Sequence, residues 1–196
     1  MRLDPDEEEV LFDVNFLQKK RIISEKIFDS LTEFQRSVKQ KLSALPTTHH
    51  ISAVTKKDPK ISRGENYGGL PYFILDYPRE FDIQNTFAIR SMVYWGHFYS
   101  FTLQTSGENQ IFFADKFLAN SDEFASYYCC VGETPWEYLY TPDNYQKIST
   151  LKPEKIKELL FRKSFFKLSI YYPLTEYQNL HQNGLLFCNK IISLLD

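Results

Sequence analysis

The chain has 196 residues, 16% of them aromatic, and a formal net charge of -2 with a pI near 6.1. That length makes one domain, or a domain with an arm, able to bury about 70% of its unfolded surface without a metal or a disulfide. The near-neutral balance lacks the cationic footprint of nucleic-acid binding, and no run of about 18 apolar residues is present to span a membrane. Three cysteines, two of them adjacent, make no disulfide framework and point to a reducing cytoplasm. The stretch Met1–Glu9 is acidic and has no apolar core, so it does not read as a signal peptide.

Asp4-Pro5-Asp6-Glu7 spells a helix start, with proline at the first helical position and carboxylates at the positive end of the dipole. A second start follows at Asn15-Phe16-Leu17-Gln18, which has capping-box spacing. From there Phe16, Ile23, Ile27, Leu31, Phe34, Val38, Leu42 and Leu45 share one helical arc of about 100°. The stripe stops at Pro46. A helix of this length is roughly 45 Å long and is expected to lie across a sheet rather than project from it. Lys19, Lys20, Arg21, Arg36, Lys39 and Lys41 make its solvated back. Residues 1–15 therefore read as a short helical arm, and residues 16–196 as a single domain.

Thr47–Lys60 reads as a polar loop, and its His49-His50 pair lacks the second ligand pair that a metal site needs. Leu70–Tyr77 is apolar on both faces, as in a strand covered on both sides, and Pro78 ends it. Phe87–Trp95 and Phe98–Thr105 form a hairpin. Placing Tyr94 opposite Phe98 puts Phe87, Ile89, Val93, Tyr99, Phe101 and Leu103 on one face. Arg90, Met92, Tyr94, Ser100, Thr102 and Gln104 then take the other. A two-residue loop would mix the two sets.

A helix is expected at Glu108–Ala119 and a short strand at Ser126–Val131, with Cys129 and Cys130 on opposite faces. Gly132–Thr150 reads as a long irregular connection, a kind of segment that often carries function. Pro153–Arg162 reads as a helix. Phe165–Tyr172 alternates, with Phe166, Leu168, Ile170 and Tyr172 inward and Lys167 and Ser169 outward. Thr175-Glu176-Tyr177-Gln178 opens a last helix, which holds Cys188. The sum is an α+β single domain: a mainly antiparallel sheet packed against a long N-terminal helix and a C-terminal helix.

No nucleophile elbow, HExxH or CxxC pair is present. The glycine-containing run Arg63-Gly64-Glu65-Asn66-Tyr67-Gly68-Gly69 leads into a strand, not a helix, so it reads as a turn presenting Tyr67 or as a ligand loop without a dipole. Asp76 and Arg79 straddle a strand end, either as a locking pair or as a grip on an anion. Arg90 sits mid-strand and needs a partner. Glu65, Asp76, Glu133 and Glu137 are the candidate acids for a structural pair, and the other reading is an arginine held for a ligand. His97, near Trp95 at the hairpin tip, is the one histidine placed for acid-base work.

The run Lys60–Arg79, followed by Trp95-Gly96 and Ser100-Phe101-Thr102 and extended by Val131-Gly132-Glu133-Thr134-Pro135-Trp136, resembles a group of bacterial proteins of unknown function, of the Bacteroidota type. The resemblance implies a bacterial cytoplasmic protein, and it carries no functional residue over.

Two functional expectations follow. The first is a non-catalytic cytoplasmic module that binds another protein, most simply itself as a homodimer, without cofactor or metal. The second is a small anionic-ligand binding protein or hydrolase with its site on the sheet. Arg63, Tyr67, Asp76, Arg79, Arg90, Tyr94 and His97 would form that site with Glu133, Trp136 and Glu137 from the long loop. A ligand site implies a concave pocket where these groups converge; an interface implies a flat aromatic patch.

Overall fold

Antiparallel pairing joins seven strands into one sheet: β1 (Lys60–Tyr67), β2 (Leu70–Phe81), β3 (Thr86–Tyr94), β4 (Phe98–Thr105), β5 (Tyr128–Cys130), β6 (Tyr145–Lys147) and β7 (Phe166–Pro173). Their spatial order is β1-β2-β3-β4-β7-β5-β6, so β1 and β6 are the edges. The helices are α1 (Pro5–Phe12), α2 (Val14–Ser43), α3 (Gly107–Ala119), α4 (Pro153–Phe161) and α5 (Leu180–Leu195). The computed structural model describes residues 1–46, 50–52, 54–82 and 84–195. The His49-His50 pair lies outside the residues whose side chains are described. The architecture is α+β, as expected, with α2 and α5 against the sheet.

The β3–β4 hairpin has the register that clean segregation of its side chains requires, with Tyr94 opposite Phe98 and Phe87 opposite Thr105. Phe87, Ile89, Val93, Tyr99, Phe101 and Leu103 join Leu31, Phe34 and Val38 of α2 and Phe187 and Ile191 of α5 in the main core. Met92, Tyr94 and Phe98 face the other way, into a second cluster with Tyr138. Cys129 belongs to the main core and Cys130 to a small cluster on the far face, as alternation demands.

Several boundaries differ from the sequence reading, each for a local reason. Lys60–Tyr67 is a strand, not a loop and turn; Gly68 and Gly69 at φ 57° and 88° make the tight connection to β2 that only positive φ allows. β2 does not stop at Pro78. It carries the proline through a register shift between Asp76 and Arg79 and continues to Phe81. The long connection after Gly132 contains β6, which pairs with β5. The capping-box residues near Thr175 form a 3-10 turn at Leu174–Asn179 before α5 begins.

The N-cap of α2 is Asp13, which accepts from the Phe16 N–H at 2.9 Å, rather than Asn15. Asp13 also breaks the helical path from α1. Along α2 the apolar stripe is covered only from Ile27 onward. Leu31, Phe34, Val38 and Leu42 are buried, whereas Phe16 and Ile23 are 46% and 45% exposed. The expectation that the whole helix lies across the sheet is thus corrected: its N-terminal third overhangs. At about 45 Å, α2 outruns the strands beneath it, since a strand of eight residues spans only about 27 Å. Lys20 pairs with Glu65 of β1 where the helix leaves the sheet.

At the centre of the helical layer α5 crosses close to α2 and β4, and Gly184 permits the approach. A Cβ there would lie 2.6 Å from the Phe34 ring and 2.7 Å from the Phe101 ring. Gly184→Val is expected to destabilise the fold by at least about 2 kcal/mol, since a packed core resists added volume. A denaturation midpoint unchanged by this substitution would contradict the close packing. The same measurement separates the two halves of α2: Phe34→Ala should cost about 3–5 kcal/mol, and Phe16→Ala less than about 0.5 kcal/mol.

Candidate functional site

Alternation along four neighbouring strands places a polar stripe across the face of the sheet away from the helices. Register puts Asp76 opposite Arg90, Arg90 opposite Thr102 and Thr102 opposite Ser169. On the next same-face row, Ala88 lies opposite Gln104 and Gln104 opposite Lys167. Such a row cannot stay dry without partners. The strap of residues 132–144 covers it and supplies them.

Arg90 meets Asp76 in a bidentate pair, Nε to Oδ1 at 2.7 Å and Nη2 to Oδ2 at 2.9 Å. Of the four candidate acids, Asp76 is the one that meets it. Arg90 Nη1 donates to the Tyr138 hydroxyl at 2.8 Å, and that hydroxyl donates to Gln104 Oε1 at 3.1 Å. The guanidinium also lies 4.9 Å from the Tyr138 ring centroid and 6.0 Å from that of Trp136. Three of its five N–H donors are therefore engaged by this chain. Burial and the Arg90 guanidinium act on Tyr138 in opposite senses; burial prevails and pushes its phenol up to about 12. Further along the stripe, the Ser169 hydroxyl shares hydrogen bonds with Thr102 and Tyr140.

Lys167 and Ser169, expected to face outward into solvent, are both 0% exposed. They do lie on the opposite face from Phe166 and Leu168, but the strap closes over them. The Lys167 amine donates to the carbonyls of Pro135 (3.0 Å) and Glu137 (2.6 Å), and sits 3.9 Å from the Tyr138 ring centroid. Burial lowers its pKa to about 7. A neutral amine retains two N–H bonds, the number that the two carbonyls take.

The candidate site residues separate into distinct places. Asp76 and Arg90 lie by Trp136, which stays 57% exposed beside Phe81. Tyr67, Tyr94 and His97 gather by the next strap residue, Glu137. The Tyr67 hydroxyl donates to Glu137 Oε1, which also accepts from the N–H groups of Tyr138 and Leu139 at 2.8 Å each. Burial, with the Glu137 carboxylate beside it, raises the Tyr67 phenol. Tyr94 donates to the Tyr67 carbonyl at 2.8 Å and stacks on His97. Arg79 turns aside and donates to the Asp58 carbonyl at 2.8 Å. Arg63 and Glu133 are exposed.

Sequence reasoning missed Tyr138, Gln104 as a partner, and Lys167. The signal for Lys167 was the one that singled out Arg90, a long cation flanked by apolar neighbours in an alternating strand. Among the described residues, no group of three His, Cys, Asp or Glu is placed to hold a metal, and no helix is long and apolar enough to cross a membrane.

Two surfaces away from the strap stand out among the described residues. One is the overhang: Val10, Leu11, Phe12, Val14, Phe16, Leu17, Ile22, Ile23 and Phe28 are each 45–70% exposed. The other is a groove of about 630 Å³ between α2, the β3–β4 tip and the Leu174–Asn179 turn. None of the ten candidate site residues lines it. No protein-family model, curated protein or solved structure matches the chain.

Two outcomes test this description. Arg90→Met strands the Asp76 carboxylate under the strap and should destabilise the fold by about 3 kcal/mol; a gain in stability would mean that Arg90 is held unpaired. Lys167 titrates near 7 in the native chain and near 10.4 when unfolded. Between those values the unfolded state binds one more proton, so this residue makes stability rise with pH. Urea denaturation from pH 7 to about 9, below the usual tyrosine range, should show a steeper rise for the native chain than for Lys167→Met. Equal slopes would place the Lys167 proton elsewhere.

Proposed function

We propose that this chain is a non-catalytic interaction module that pairs with a second copy of itself through α1 and the overhanging start of α2. The observation that carries the reading is the run of exposed apolar side chains from Val10 to Ile23. So many large apolar side chains uncovered on one stretch of chain are a mark of an interaction surface. The helix α1 adds to the argument: it has eight residues and none of them is buried. Isolated helices shorter than about 12 residues are marginal in water, so α1 needs something to pack on.

Charge selects a second copy as the occupant. Asp4, Asp6, Glu7, Glu8, Glu9 and Asp13 form an acidic block, and Lys19, Lys20, Arg21 and Lys26, with Glu25 among them, a mainly basic one just after it; within the chain Lys20 already meets Glu65 and Arg21 meets Glu25, which leaves Lys19 and Lys26. A two-fold interface brings the same patch of both copies together, so it favours a surface complementary to itself. An antiparallel pairing of two overhangs sets each acidic block against the partner's basic block and apolar residues against apolar ones. The reading fits a reducing compartment such as a bacterial cytoplasm, where Cys129, Cys130 and Cys188 stay as buried free thiols.

Sedimentation velocity tests it. The native chain should sediment as a dimer, and Phe12→Asp with Phe16→Asp should yield a folded monomer, because neither side chain is core, with a melting temperature lower only by what dimer formation contributes. Raising salt should weaken the dimer. A native chain that stays monomeric at the highest concentration it tolerates would overturn the proposal.

A further inference from the structure

The geometry points to a second site, adjoining the self-association surface at Ile23 and Lys26: a groove that takes a small amphipathic monocarboxylate, its chain in the apolar trough and its head on Lys26. The trough has a buried floor of Val93, Tyr99 and Leu180 and half-buried walls of Ile27, Trp95 and Leu174. At about 630 Å³ it falls within the range of ligand pockets, about 300–1,000 Å³. Tyr177, 71% exposed, stands at the rim as an aromatic side chain with little of its surface covered.

Charge defines the head group. Lys26, an exposed residue, is the one Lys or Arg lining the groove, and no Asp or Glu lines it. Among the described residues Lys26 has no ion pair. The remaining polar side chains there, Ser30, Gln178 and His181, are uncharged or already engaged, His181 with Ser37 at 3.0 Å. A dianion such as a phosphate monoester calls for several charge-assisted donors, commonly an arginine fork; one ammonium matches one carboxylate. The apolar lining matches a hydrocarbon chain, worth about 0.8 kcal/mol for each methylene buried.

Trp95 makes the site observable, because the second tryptophan, Trp136, lies on the far face beneath which Arg90 is held. Decanoate is the probe, titrated against the full chain with tryptophan fluorescence and thermal shift as readouts. Saturable one-to-one binding is expected, with a fluorescence change that vanishes in Trp95→Phe while the thermal shift persists. Lys26→Met should weaken decanoate about tenfold, and decan-1-ol should bind the native chain about as weakly as decanoate binds that variant. Because Lys26 also belongs to the basic block, the titration is repeated in the Phe12→Asp, Phe16→Asp background, where self-association is absent. Binding there at native strength keeps the two proposals separate. The inference is overturned by non-saturable uptake, by equal affinity for acid and alcohol, by indifference to Lys26→Met, or by a site that opens only when the overhang is disrupted.

Discussion

An arginine in the middle of a strand sets the terms for one whole face of this sheet. Arg90 cannot lie dry without an opposite charge, and Asp76 supplies it from the neighbouring strand. Yet the pair does not end the demand, because Thr102, Ser169, Gln104 and Lys167 follow on the same face. A helix with an apolar stripe could not satisfy these groups. An irregular segment can, since it offers free carbonyls and freely placed hydroxyls, and the strap does so through Tyr138, Tyr140 and the carbonyls of Pro135 and Glu137. The two faces of the sheet thus call for different kinds of cover: helices over the apolar one, irregular chain over the polar one.

That division explains what was legible in the sequence. The apolar face was, down to the register of the β3–β4 hairpin, because period-two alternation and a three-residue tip leave one clean solution. The buried half of α2 was legible for the same reason at a period of 3.6. The polar face was only half legible. Arg90 announced its need for a partner, but nothing local said that Tyr138, 48 residues later, would share it. Lys167 looked like an outward lysine because alternation gives the face of a residue and not what covers that face. β1 escaped because Arg63, Glu65 and Asn66 resemble a loop; an edge strand tolerates such residues, being exposed along one side.

The start of α2 shows the opposite limit. Its periodicity runs from Phe16 to Leu45 with one turn missing, where Lys19 and Lys20 stand in place of an apolar residue, and that gap was the one local sign that only part of the stripe finds the sheet. Length decides that, and the strands beneath are shorter than the helix. The uncovered start of the stripe, with acidic and basic residues beside it, is what the proposed self-association rests on.

The two edges of the sheet bear on how such chains can gather. β1 exposes Lys60, Arg63 and Glu65 and shifts register between Gly64 and Tyr67, while β6 is three residues long with Gln146 and Lys147 exposed. Charge, a kink and brevity all discourage a further strand from adding to an open ladder. The two-fold pairing proposed for the overhang would close after two copies by its symmetry, and such edges would add no strand to it. Growth by strand addition would have to overcome these features at both edges.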